Sequence, residues 1–162
     1  MKILGVDPGI GRCGWGVIEV QSSKFKVQNY GCIETFSKEK TELRLLAIYN
    51  SILEVIQKYN PDALSIEELF FNTNSKTAFV VGQARGVILL TGAQKNIPVS
   101  IYTPLQVKVA ITGYGRGDKT QIGRMVKTIL KLKEIPKPDD ISDALAVALT
   151  HAFSKSFAKF IL

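Results

Sequence analysis

Ile3-Leu4-Gly5-Val6-Asp7-Pro8-Gly9 opens the chain as an apolar strand closed by a carboxylate. A charge ending an otherwise apolar strand is costly unless something there needs it. The chain turns through Gly9 and Gly11 and re-enters a strand at Gly14-Trp15-Gly16-Val17-Ile18. Strand, acid, glycine turn and strand together predict an acidic site at a sheet edge, facing a phosphate.

Working outward, residues 2–7, 14–20 and 24–36 read as three consecutive strands, short, β-rich and parted by glycine or polar turns. Residues 41–59 switch to helical period, with Leu45, Ile48, Ile52, Leu53 and Ile56 on one stripe and Asn60-Pro61 as the stop. Ala63 to Glu67 is a fourth strand, its Leu64 and Ile66 on one face and Ser65 and Glu67 on the other. A helix is expected over 75–94, a fifth strand over 98–102, helices over 104–111 and 119–132, and a last helix from Asp139 to about Phe153. The 75–94 helix is apolar nearly all round, so it needs cover on two sides: the sheet, and by hypothesis a second subunit. The order predicts an α/β fold: a mixed five-stranded sheet, three antiparallel strands and then two parallel ones, flanked by helices.

The 162 residues fit one domain, 1–162, with 153–162 as a C-terminal tail. Its Phe157, Phe160, Ile161 and Leu162 are more apolar than a disordered end should be. Lysine and arginine total 21 against 14 acids, a formal charge of +7, which favours a polyanionic partner such as nucleic acid. No apolar run approaches the roughly 18 residues of a membrane span, and the start carries no signal core, so no membrane and a cytoplasmic location are expected. Cys13 and Cys32 have neither metal-ligand nor redox spacing, and His151 is the lone histidine, which argues against zinc.

A right-handed crossover would set the first and fourth strands side by side and parallel, with Asp7 and Glu67 at neighbouring carboxyl ends. Asp140 and Asp143, three apart, share a helix face. If that helix crosses the sheet, four carboxylates converge and repel unless cations compensate them. Oxygen-only ligands point to Mg²⁺ or Mn²⁺. Asp139 projects about 100° from Asp140 and reads as a helix-start acid, and Glu68 falls on the face opposite Glu67.

Asp7 to Ile18, with its Asp-Pro-Gly start and Gly-Trp-Gly-Val-Ile close, resembles the opening motif of RuvC-type Holliday junction resolvases. Ser65-Ile66-Glu67-Glu68-Leu69-Phe70-Phe71 looks like their second acidic motif, and Gly82-Gln83-Ala84-Arg85-Gly86-Val87 like their central helix. Pro104-Leu105-Gln106-Val107-Lys108 and Asp140-Ile141-Ser142-Asp143-Ala144-Leu145-Ala146 resemble the following helix and the closing acidic helix. The motifs keep the family order over about residues 1 to 153. The resemblance implies a ribonuclease H-like fold and a homodimeric, Mg²⁺-dependent endonuclease, with two ions per site. It would nick two opposed strands of a four-way DNA junction, with branch-migration helicase proteins as partners. By motif position Asp7, Glu67, Asp140 and Asp143 would be the catalytic acids and metal ligands.

Lys119 and Lys108 match lysines that the family uses near DNA, and Phe70 sits at the position of an aromatic that stacks on or wedges between bases. Lys76, Arg116 and Arg124 are weaker DNA candidates, and Arg85 reads equally as a structural ion pair. Phosphate contacts of this kind make affinity fall with salt. Three rivals stand beside this reading. A ribonuclease H-like nuclease for RNA or non-junction DNA would keep the same acids. An actin-like ATP-binding fold needs a second domain and glycine motif for which 162 residues leave no room. A module that only binds DNA gains nothing from clustered acids.

Overall fold

The computed structural model describes residues 1–22, 24–68 and 75–161, and for 75–77 and 156–161 the backbone only. Five strands, β1 (Lys2–Asp7), β2 (Arg12–Gln21), β3 (Lys24–Glu34), β4 (Ala63–Glu67) and β5 (Val99–Tyr102), form one sheet in the order β3-β2-β1-β4-β5. The pairs β1/β2 and β2/β3 are antiparallel, while β1/β4 and β4/β5 are parallel. The mixed sheet and the β1/β4 neighbourhood are those expected from the sequence.

Period-two alternation divides the strands between two cores. Leu4, Val6, Val17, Leu64 and Ile66 pack with Ile48, Ile52 and Ile56 of α1 (Thr41–Tyr59) and with Ala84 and Ile88 of α2 (Ser75–Gln94). Ile3 and Ile18 point the other way. They meet Val107 and Ile111 of α3 (Pro104–Thr112), Ile122 and Val126 of α4 (Lys119–Ile129), and Leu145 and Leu149 of α5 (Asp139–Ile161). Asp7 follows Ile3 and Gly5 by twos, and Glu67 follows Ser65, so both project on the α5 side.

Glycines on that face let α5 come close. Gly5 pairs with Gly16, and Asp7 with Gly14, across β1 and β2. A Cβ on Gly5 would overlap the Ala144 carbonyl oxygen, one on Gly14 the Asp140 carbonyl oxygen, and one on Gly16 the Leu145 side chain. At Gly5 and Gly14 the helix backbone therefore rests directly on the strands, with no side chain between them.

Helix ends follow local chemistry. Asn60, left-handed at φ 47°, caps α1 and donates its N–H to the Ile56 carbonyl. Thr103 and Gln106 form a reciprocal capping box at the start of α3, with Pro104 in its first turn. Asp118 accepts from the Gln121 N–H and caps α4, which fixes Lys119 as the first residue of that helix. Two expected ends move. α4 stops at Ile129 rather than 132, because Lys131 turns left-handed at φ 52°. α5 runs on to Ile161 rather than Phe153, since residues 154–161 contain neither glycine nor proline, and the Ser154 hydroxyl donates back to the Thr150 carbonyl.

Gly5→Ala and Gly14→Ala should each destabilise the fold by about 1–3 kcal/mol through overpacking against helix backbone, read as a Tm lower by several degrees. Gly11→Ala is the control: its Cβ would meet only the far end of Arg44, at 3.9 Å. A Tm unchanged in Gly14→Ala would contradict the close approach.

Candidate active site

Asp7, Glu67 and Asp143 line one cavity of about 310 Å³, together with Lys108, Lys119, Pro104, Val107 and Ile122. Each comes from a different element. Asp7 ends β1 and Glu67 ends β4, one step beyond the Val6–Ile66 register pair. Asp143 lies in the second turn of α5, and Lys108 and Lys119 come from α3 and α4. Of the four acids predicted, Asp140 does not line this cavity; it sits beside it, over Gly14. Asp140 is nonetheless near enough to help raise the carboxyls of both Asp7 and Asp143.

The electrostatics are those of crowded anions. The Asp7 carboxyl is held well above the usual range, first by burial and then by Asp143, Glu67 and Asp140. Glu67 is pushed up to about 7 from 4.5, chiefly by burial and next by Asp143. Asp143 is raised by burial against the opposing pull of Lys119.

The Lys119 ammonium stands among these acids. Its Nζ donates to Asp139 Oδ2 at 3.2 Å and to Asp143 Oδ2 at 3.3 Å. Asp143 above all raises the Lys119 pKa, and the Lys119 hydrogen bond lowers that of Asp139. Asp139, read from sequence as a helix-start acid, thus also holds a site lysine. Arg12 Nε lies 3.1 Å from Asp140 Oδ2, but off the axis, so that this buried oxygen receives no hydrogen bond.

Among the described residues no three acid, histidine or cysteine side chains are grouped closely enough to hold one ion. Lys119 supplies a positive charge beside Asp143. The donor chemistry nevertheless fits a hard divalent cation. The ligands are oxygen only, three acids are forced toward the neutral form by burial and one another, and one carboxylate oxygen is buried without a hydrogen bond.

The DNA candidates divide. Lys108 and Lys119 line the acid cavity, and Arg116 is exposed on the loop joining α3 to α4. Phe70 and the Lys76 side chain lie outside the described residues. Arg85 forms no ion pair with a described residue, and its Nε is buried without a hydrogen bond. Sequence reasoning missed Arg12, whose signal is a lone cation closing a glycine turn. It also missed the roles of Gly5, Gly14 and Gly16, whose signal is small residues at every second position. A larger cavity of about 760 Å³, between α3 and α5, is lined by Tyr102, Leu105, Val109 and Phe153 among others and contains no acid.

A mixed five-stranded sheet, with carboxylates at the adjoining ends of its two central strands and more on a helix laid across them, defines the ribonuclease H-like class. The family model described as "Crossover junction endodeoxyribonuclease RuvC" matches residues 3–151, and the chain belongs to that family. It is 57% identical over 157 residues to the crossover junction endodeoxyribonuclease RuvC of Caldicellulosiruptor saccharolyticus, a match that takes in 96% of this chain and 95% of the relative. The Thermus thermophilus RuvC structure superposes with a TM-score of 0.90 at 37% identity, over 98% of this chain and 97% of that one. The T. thermophilus RuvC in complex with Holliday junction substrate gives 0.93 at 38%, over 98% and 96%.

The raised acids set a pH dependence. Between 4.5 and about 7 the folded chain keeps a proton on Glu67 that the unfolded chain has lost. That contribution to stability is full below the lower value and disappears as pH rises through the upper one. Asp7 and Asp143, also raised, act in the same sense. In EDTA the Tm should fall as pH rises across this window, and Glu67→Gln should remove part of the fall. Parallel profiles for the two proteins would show that Glu67 titrates as an ordinary surface acid.

Proposed function

We propose that the chain is a structure-selective endodeoxyribonuclease that resolves four-way DNA junctions by paired symmetric nicks, through Mg²⁺-assisted hydrolysis of phosphodiesters. The observation that carries this is the cavity that joins Asp7, Glu67 and Asp143 to Lys108 and Lys119. Acids alone would repel a phosphate, and lysines alone would bind one without attacking it. Membership of the RuvC family and the likeness to a junction-bound relative support the four-way junction as substrate.

Asp7, Glu67, Asp140 and Asp143 would hold the ions, two Mg²⁺ per site with Mn²⁺ as substitute. Such a pair supplies a strong nucleophile at neutral pH and stabilises the charge that develops on the leaving oxygen. The remaining work belongs to the chain itself. Asp7, buried at the end of a central strand, lies at the centre of the site and would be the acid on which ion binding depends most. Glu67 and the Asp140/Asp143 pair would supply the remaining carboxylates. Lys108 and Lys119 meet the non-bridging oxygens, and Lys119 exchanges its carboxylate partners for phosphate. Arg116 contacts the backbone further out; by motif position Lys76 would be another backbone contact and Phe70 a base-stacking aromatic. Gly113, left-handed at φ 80°, gives the 113–117 loop its turn and with it room to reorder on DNA.

Paired nicks need paired sites. Phe79 and Leu90 of α2, 68% and 55% exposed, lie eleven residues apart and so on one face. Leu43 and Leu46 of the neighbouring α1 are also exposed. This apolar face is the homodimer surface of the proposal. The family reading adds branch-migration proteins as partners and the cytoplasm as the location. Among the described residues no helix is long and apolar enough to cross a membrane.

Labelled four-way junction, duplex, fork and RNA–DNA hybrid, each incubated with Mg²⁺, test the activity. Symmetric nicks confined to the junction and lost in EDTA are expected, whereas cutting of hybrid or linear DNA would move the substrate elsewhere. Asp7→Asn should lower cutting by on the order of 10²–10³-fold or more at saturating Mg²⁺; near-normal rates would remove Asp7 from the ion-holding acids. Phe79→Glu should give monomers in sedimentation and unpaired nicks, and a dimer that persists would place the interface on another face.

A further inference from the structure

We propose that Arg12 is a DNA-backbone contact that the ion-free protein stores on Asp140, and that it passes to a phosphate when a divalent cation takes that carboxylate. The inference rests on the reading of the acids as a cation site that acts on DNA.

Arg12 is the first residue of β2, where the chain leaves the Gly9–Gly11 turn. Its backbone is fixed from outside. The Thr35 hydroxyl donates to the Ile10 carbonyl, the Thr35 N–H donates to the Gly11 carbonyl at 3.0 Å, and Arg44 Nε donates to the Thr35 hydroxyl at 2.8 Å. The side chain is freer, at 52% exposure, and reaches over Asp140.

The contact it makes there is incomplete. Nε stands 3.1 Å from Asp140 Oδ2, yet that oxygen accepts no hydrogen bond. This is attraction between charges, without the two parallel hydrogen bonds that make an arginine–carboxylate pair strong. A half-exposed pair of this kind is weakly held and readily exchanged.

The place is suited to a phosphate chain. Arg12 lines a cleft of about 500 Å³ with Lys119, Thr120, Lys137, Asp139 and Asp143 among others. This cleft shares Lys119 and Asp143 with the acid cavity. On this proposal, a strand with one phosphate in the acid cavity would pass a neighbouring nucleotide along Arg12 and Lys137. With a cation on Asp140 the guanidinium loses its reason to stay, and its planar fork matches phosphate oxygens. Cation and DNA would then each strengthen binding of the other, as linkage requires.

The test is equilibrium binding of a four-way junction across a salt series, in EDTA and in Ca²⁺, with the DNA checked for integrity on a gel. Each phosphate neutralised adds about 0.9 to the slope of log affinity against log salt. Wild type and Arg12→Gln should have similar slopes in EDTA. In Ca²⁺ the wild-type slope should be steeper by about 0.9, and Arg12→Lys should recover most of the difference. Asp140→Asn, which removes the holding carboxylate, should show the Arg12 contribution already in EDTA. Equal slopes for wild type and Arg12→Gln in Ca²⁺ would overturn the proposal. So would a full difference already present in EDTA, since Arg12 would then touch DNA without being stored. Loss of junction preference with the Ca²⁺-dependent difference intact on duplex would sink the junction reading and leave the role of Arg12 standing.

Discussion

The distance between α5 and the sheet governs the acid site. Asp140 and Asp143 are carried on a helix, Asp7 and Glu67 on strands, and a carboxylate side chain is short. An ordinary helix–sheet packing would insert a layer of side chains between the two pairs. Gly5 and Gly14 remove that layer, so that helix carbonyls sit where their Cβ atoms would be, and Gly16 makes room for the Leu145 side chain. The apolar core beneath α5, with Ile3, Ile18, Leu145 and Leu149 fully buried, supplies the free energy that presses helix to sheet. Hydrophobic burial thus supports an arrangement of anions that electrostatics opposes.

The opposition is visible in the direction in which Asp7, Glu67 and Asp143 titrate. It is also visible in the cations the protein brings to the acids. Lys119 joins Asp139 to Asp143, and Arg12 leans on Asp140. A site intended only to be stable would replace one carboxylate with a neutral residue. This one keeps its negative charge and tempers it with side chains that can leave.

Much of this was legible in the residues. Apolar strands with terminal acids, a switch from period two to period 3.6 at residue 41, and Asn60-Pro61 as a stop placed the elements and the β1/β4 neighbourhood. The motif order placed the acids. Two kinds of information were hidden. Side-chain pairing between elements, such as Arg12 with Asp140 or Lys119 with Asp139, depends on how loops bring distant residues together, and no local pattern encodes it. How Asp140 and Asp143 sit relative to Asp7 and Glu67 likewise depends on the azimuth of α5 over the sheet. The glycines recorded that approach all along, but alternate glycines in a strand also read as a turn-prone, weak β segment. The far end of α5 lies beyond the expected Phe153 because residues 154–161 hold no helix breaker, and the helix continues to Ile161.

The parallel register of β1 and β4 has a further bearing on how such a chain can vary. Val6 lies beside Ile66, and the two carboxylates come next on the same face. Removing one residue from either strand would invert its whole pattern, turning that acid into the α1/α2 core and an isoleucine or valine out toward the solvent cleft. The strands thus act as a fixed gauge, and lineages descended from this chain can change length only where no face is being counted. The turn after Gln21 and the loop between α3 and α4 are such places, and the latter leads directly into Lys119 of the acid cavity. Insertions tolerated there would change what the enzyme grips without altering the spacing of the groups that cut.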